Sequence, residues 1–231
     1  MTNDELEELL VDCPRLYHMA ERGSWPSIAQ HGLLSTSSLL DLYEVEGNER
    51  EAIEAAHRPE SIPIRTAELA PAVVRDQKPM SDRGLANCLK DGLTPTERDK
   101  ILNSKVFFWL TEDRLLRLLN AKTYRDSEHD ILVLDSRSLV GANRDKVWLC
   151  PMNSGCTKPF PHPRGISTFK RIPDYPYAEW KRKRKAGERV VELCVEDGVA
   201  EISEHVVEVK RMSGKSLVRP IFPEKYEDHD Q

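Results

Sequence analysis

No apolar run in the 231-residue chain approaches the roughly 20 residues that a membrane-spanning helix requires. The longest, such as Val106–Leu110 and Ile131–Leu134, are strand-sized, so a helical membrane protein is excluded. Cysteine is scarce and badly spaced for pairing. Cys13, Cys88, Cys150, Cys156 and Cys194 are odd in number and scattered, which argues against a disulfide framework and for a reducing compartment. Cys150 and Cys156 enclose five residues, with His162 nearby, but no second close pair completes a zinc site, and no metal is expected. Basic residues are missing from positions 1–12, which carry five acids, whereas a secretory leader opens with Lys or Arg. The expected location is the cytoplasm. Neither G-x-G-x-x-G nor a Walker A sequence occurs, which removes support for a Rossmann or P-loop mode of nucleotide binding. Repeats and low-complexity linkers are absent too. One domain over residues 1–231 is expected, with its acidic ends 1–12 and 224–231 mobile.

What the chain does contain, 39% hydrophobic and 32% charged residues, is the composition of a globular protein able to bury its own core. The local signals alternate between helix and strand. Leu16–Met19 reads as a strand, and Ser24–Gln30 as a short helix with Ser24 as cap, Pro26 in its first turn and Gly32 past its end. Ser35–Tyr43 and Asn48–His57 read as helical. Thr94-Pro95-Thr96-Glu97 is a capping box, in which a hydroxyl and a carboxylate satisfy each other's backbone amides. Val106–Leu110, His129–Leu134, Lys146–Leu149, Arg189–Val195 and His205–Arg211 read as strands, and Thr111 as the cap of an amphipathic helix over Glu112–Asn120 with Leu115, Leu116, Leu118 and Leu119 facing inward. Pro151–Pro163 is too rich in Pro, Gly and Asn for regular structure and reads as a functional loop. Helices gather toward the N-terminal half and strands toward the C-terminal half, which predicts an α+β fold.

The formal charge of −5 hides an asymmetry, because Lys158–Arg189 holds ten Lys or Arg against three acids. Such a block attracts phosphate within a screening length of about 10 Å, even on an acidic protein. A solvated helix face is the plainer alternative for Lys181–Lys185 (KRKRK).

Several short motifs, taken in order, point to a known family. Leu16-Tyr17-His18-Met19, then Trp25-Pro26-Ser27-Ile28, then His31-Gly32-Leu33-Leu34-Ser35 resemble the N-terminal NAD-binding signature of DarT-type ADP-ribosyltransferases. Val74-Arg75-Asp76 stands where that family carries a catalytic arginine, and Val106-Phe107-Phe108-Trp109 is similar to its aromatic strand. Arg189-Val190-Val191-Glu192-Leu193 resembles the strand bearing its catalytic glutamate, with a final strand near Val209. The likeness spans most of residues 15–210. One position departs from the pattern: Ala20 stands two residues after the His, where the family usually has a hydroxyl, so a ribose contact is in question.

The resemblance implies an ADP-ribosyltransferase-like fold, with a helical N-terminal half and a split, mostly antiparallel β core, and NAD as substrate. It assigns catalysis to Glu192 and Arg75, and the NAD site to His18, Met19, Leu33, Phe107 and Phe108. The chemistry suits those residue types. Breaking the nicotinamide–ribose bond builds positive charge on the sugar, as in glycoside cleavage, and a carboxylate stabilises it. An imidazole can hold a ribose hydroxyl or the nicotinamide amide, and a guanidinium can bridge a pyrophosphate. Arg58 and Arg65 compete with Arg75 for that last role. Before the Glu192 strand, where the family places its acceptor-recognition segment, lie Arg164, Lys170, Arg171 and Lys181, Arg182 and Lys183. With Phe160, Phe169, Tyr175, Tyr177 and Trp180 among them, they form a basic and aromatic pattern suited to single-stranded DNA or RNA. An ADP-ribosyltransferase acting on protein, and a silent module that binds nucleic acid or a nucleotide, are the alternatives; an inhibitory partner protein fits the family.

Overall fold

The computed structural model describes residues 1–78, 80, 82–157 and 161–223. The acidic start is not a mobile tail. Thr2 and Glu5 form a reciprocal capping box, and helix α1 (Asn3–Asp12) buries Leu6, Leu9 and Leu10 along one stripe. The α-amino group of Met1 donates to the carbonyls of Pro173 and Tyr175 at 2.7 and 2.9 Å. Counting charge alone hides this helix, because its acids occupy the outer face of an i, i+3, i+4 pattern. The other end, 224–231, lies outside the described residues.

Strand β1 (Arg15–Glu21) leads into α2 (Trp25–His31), β2 (Leu33–Leu34), α3 (Thr36–Leu42) and α4 (Gly47–Glu54). A short hairpin, β3 (Ile62–Ile64) and β4 (Ala72–Val74), precedes α5 (Asp82–Cys88), α6 (Pro95–Asn103), β5 (Lys105–Trp109) and α7 (Glu112–Leu119). The remainder runs β6 (Glu128–Asp135), α8 (Ser136–Ala142), β7 (Val147–Cys150), β8 (Lys170–Arg171), α9 (Tyr177–Lys183), β9 (Glu192–Glu196), β10 (Gly198–Val199), β11 (Val206–Ser213) and β12 (Ser216–Phe222). Most local signals land where expected, including the Thr94–Glu97 capping box, which opens α6. Two caps act differently. Ser24 and Thr111 make no side-chain cap bond, and the Ser24 hydroxyl turns back to the carbonyl of Glu21 at 2.7 Å.

The fold is α+β around one large antiparallel sheet, in the order β12-β11-β6-β1-β5-β9-β7-β8. Helices do outnumber strands early, yet β1 and β5 from the first half sit between strands from the second. The sheet is tight on either side of the β1–β5 junction and weak at it. Strands β1 and β6 pair from Arg15↔Asp135 through Glu21↔His129, whereas β1 and β5 share the single pair Tyr17↔Trp109. Beyond that pair the strands separate.

One core, with Leu16, Leu132, Leu134 and Leu193, packs against α1 and α8. A second cluster lies under α7, where Leu115 and Leu119 meet Ile131, Val133 and Met212, while Leu116 is only partly buried. A third, around Leu40, Tyr43, Ile53, Ile64 and Val74, gives α3, α4 and the β3–β4 hairpin an apolar centre of their own. That lobe borders the opening in the sheet. Among the described residues, no helix is long and apolar enough to cross a membrane.

Candidate functional site

The separation of β1 from β5 creates a cleft of about 540 Å³, lined by the C-terminal half of β1, all of β5, the α2–β2 turn, the edge of the lobe and the 153–155 loop. That volume lies within the range of small-ligand sites. Glu192, at the start of β9, is the register partner of Trp109, which is itself the partner of Tyr17. The carboxylate is therefore level with the point where the sheet opens. It is 4% exposed, and its Oε2 accepts from the Ser154 backbone N–H at 3.0 Å. Burial pushes its pKa up to about 7, against the pull of the Ser154 hydroxyl and N–H and of the Arg98 and Arg114 charges.

His18 closes the gap from the other side. Its Nδ1 is 2.9 Å from the carbonyl of Phe107, and a carbonyl only accepts, so Nδ1 carries the proton and Nε2 is left as an acceptor. The side chain thereby satisfies a β5 carbonyl that a fully paired β1 would have taken. Burial holds the ring pKa down at about 4, with the Phe107 carbonyl opposing and the Arg75 charge assisting. His18 is neutral at physiological pH. A ligand must therefore present it with a hydroxyl or amide donor.

Arg75 follows β4 on the lobe side. Its Nη1 is 3.2 Å from His129 Nδ1 and 3.9 Å from the Glu21 carboxylate, and its guanidinium lies 5.7 Å from the centre of the Tyr124 ring. Tyr124 donates its hydroxyl to Asp76 at 2.7 Å. Arg58 also borders the cleft but is buried, with its donors committed to the carbonyls of Arg75 and Ile53 and to Asn103 Oδ1 at 2.6–3.1 Å. Arg65 is exposed and lines no part of the cleft. Of the three arginines, Arg75 alone combines a place in the cleft with a guanidinium not tied to backbone carbonyls. Met19, Leu33, Phe107 and Phe108 line the same space, and Phe108 is a fully buried wall residue whose ring centre is 5.7 Å from that of His18. Ala20 is buried in that wall.

None of the residues expected to hold an acceptor lines the cleft. Arg164 requires correction, because it is 4% exposed and its guanidinium donates to the carbonyls of Ser154, Cys156 and His162 at 2.7, 2.9 and 3.1 Å. It holds the loop together from inside. Arg171 lies 4.0 Å over the Trp148 ring and pairs with Glu196, and Lys181 pairs with Glu8 of α1 at 2.7 Å. Lys183 lies 5.5 Å over the Trp180 ring, and Arg184 donates to the carbonyls of Pro151 and Glu188. The acids of α1 thus absorb part of the basic block. Lys170, half-buried, and the exposed Arg182 and Lys185 remain as candidate phosphate contacts. Tyr175 and Tyr177 are core residues and Phe169 is buried, so they cannot stack on bases. Phe160 lies outside the described residues.

Sequence reasoning missed Ser154, Arg98, His129 and Tyr124. Arg98 sits in the first turn of a capped helix, where a charged residue reads as solvated, yet it is 5% exposed. The cue was the loop composition at 151–163, which marked the segment but not Ser154. Among the described residues, no three His, Cys, Asp or Glu side chains converge as a metal site.

Residues 14–206 match DUF7002, described as a family of unknown function. No curated protein and no solved structure matches the chain.

Proposed function

The chain belongs to the DUF7002 family, and we propose that it is an ADP-ribosyltransferase with NAD as its substrate. One observation carries this reading. His18, Arg75 and Glu192, far apart in the chain and assigned to NAD chemistry by the resemblance, meet in one cleft where the sheet opens.

In this reading the nicotinamide–ribose bond breaks with its electron pair leaving on nicotinamide, and the ribose carbon becomes oxocarbenium-like. Glu192, as the carboxylate, offsets that charge and takes the proton of the incoming nucleophile, so that the products are nicotinamide, the ADP-ribosylated acceptor and one proton. His18 accepts from a hydroxyl or amide of the substrate through Nε2, and Arg75 donates two parallel hydrogen bonds to the pyrophosphate. The acceptor we favour is a nucleobase of single-stranded DNA or RNA, reached through Lys170, Arg182 and Lys185.

The test is incubation of the purified protein with NAD labelled in the adenosine half, alone and with separate pools of single-stranded DNA, RNA and protein. Nicotinamide release with label moving into a nucleic-acid pool is expected, and turnover should rise with pH through about 7 as Glu192 ionises. Label in protein alone would move the acceptor to that class. NAD that binds but is never cleaved would leave a silent nucleotide-binding module.

A further inference from the structure

The buried side of Glu192 shows an arrangement that the NAD reading does not use. Ser154 is held at both ends. Its N–H donates to Glu192 Oε2 at 3.0 Å, and its carbonyl accepts from two guanidinium groups, Arg98 of α6 and Arg164 of the loop, the second at 2.7 Å. All four residues are buried, with exposures of 2–5%. Two guanidinium groups converging on one neutral carbonyl bring like charges together, and the neighbouring acid, Asp99, stands 3.4 Å from Arg98. Buried cations are costly to desolvate, so a pair at one oxygen is not explained by stability alone.

We propose that Arg98 and Arg164 are positioning residues for Glu192: by fixing the Ser154 carbonyl from two sides, they hold its N–H against the carboxylate. The clamp keeps the carboxylate in a single orientation where the sheet opens, and it favours the ionised form. The charged and titratable groups that act on the carboxyl are Arg98 from α6, Arg114 from α7, Cys150 from β7 and Cys194 from β9, and Arg164 reaches it through the Ser154 carbonyl. The two thiols are held neutral by burial, so the cations and Ser154 are what favour the anion. The proposal rests on the reading of Glu192 as the group that faces the ribose, but its first readout does not require turnover.

That readout is a pH titration of the Glu192 side-chain carboxyl by carbon-detected NMR, assigned by its loss in Glu192→Gln, together with the Ser154 amide proton in the same wild-type sample. The amide should move downfield as the carboxyl ionises, with the same midpoint. Arg98→Lys and Arg164→Lys keep the charge but lose the fork, and each should raise the midpoint by about half a pH unit or more. In NAD cleavage, each should lower kcat by about tenfold while KM for NAD stays within about twofold, and the double variant should lose little more, because both act through one carbonyl. A Ser154 amide that ignores the Glu192 midpoint overturns the clamp, and this holds even if a variant fails to fold. So does an unchanged midpoint with wild-type kcat in both single variants. If the amide tracks and the midpoints move in a protein that cleaves no NAD, the clamp stands and the NAD reading falls; cleavage without tracking gives the reverse.

Discussion

The carboxylate of Glu192 gives up its hydration to the cleft wall and regains only the backbone N–H of Ser154 at 3.0 Å and the hydroxyl of the same residue, a poor exchange that lifts its pKa from an ordinary 4.5 to about 7. The consequence for stability has a definite sign. The unfolded chain ionises this group near 4.5 and the native chain near 7, so the contribution of Glu192 to stability falls as pH rises across that window and levels off above it. The full difference corresponds to about 3 kcal/mol. Glu192→Gln carries no such loss. At pH 8 the variant should be more stable than wild type by up to that amount, and the gap should close by pH 4, as read from urea midpoints across the range. His18, whose native pKa near 4 costs stability as pH falls below 6.5, is present in both proteins and cancels from the comparison. A constant gap would show that the carboxyl is not desolvated. Arg75 tests the other end of the cleft. Arg75→Ala should raise KM for NAD by about tenfold or more, since a charged hydrogen bond contributes about 1.5–3 kcal/mol, and Arg75→Lys should recover only part of it. Unchanged steady-state constants for NAD would remove Arg75 from the site.

At the scale of elements, the turn from α2 into β2 decides where Leu33 meets the cleft. Gly32 ends α2 with φ of 86°, and a Cβ there would lie 2.8 Å from backbone atoms of Val199 and Ala200, beside the β2–β10 pairing. Gly23 has nearly the same φ, 81°, but a Cβ there would meet nothing within 4 Å. The pair separates backbone conformation from close approach. Gly23→Ala should cost about 1 kcal/mol, and Gly32→Ala about 2 kcal/mol more, because the added Cβ meets backbone rather than the far end of a side chain. Equal losses in a denaturant titration would show that β10 yields. Helix α6 has a different task. Its capping box was legible because Thr94 and Glu97 are three residues apart, but its polar side, with Arg98, Asp99 and Asn103, is buried against Arg58, Ser154 and the carbonyl of Glu54. No local pattern announces a polar face turned inward.

Across the whole molecule, the cleft lies between the open sheet and a lobe with its own apolar cluster. A ligand that bridges His18 and Glu192 on the sheet side and Arg75 on the lobe side ties the two together. NAD at 100 times its Kd should therefore stabilise the protein by about 2.7 kcal/mol and slow hydrogen exchange both in β1 and in residues 36–75. Protection confined to the sheet side would mean that the ligand does not reach Arg75. Charge at this scale is also redistributed relative to the linear sequence. The acids of α1 and the bases of α9 and Arg189 lie more than 170 residues apart and neutralise each other across one interface, with Glu8 serving both Lys181 and Arg189 at 2.7 Å.

The sequence by itself determined what acts over a few residues: the capped starts of α3 and α6, the Gly32 stop, the apolar strands β5, β6 and β9, and an α+β composition. The family resemblance pointed to His18, Arg75 and Glu192 as expected site residues, and the sequence does not show that they line one cleft. Only the tertiary structure decided that Tyr17↔Trp109 is the last pair before the sheet opens, that Glu192 is level with it, and that Ser154 stands behind it. The same holds for the basic residues, since a guanidinium on paper is equally a phosphate contact or an internal strut. Arg164 became a strut, and Arg98 found its carbonyl 56 residues away. Hydrogen-bond partners of buried charges are set by whichever backbone the packed core brings within 3 Å, and neither periodicity nor capping, both confined to about one helical turn, contains that information.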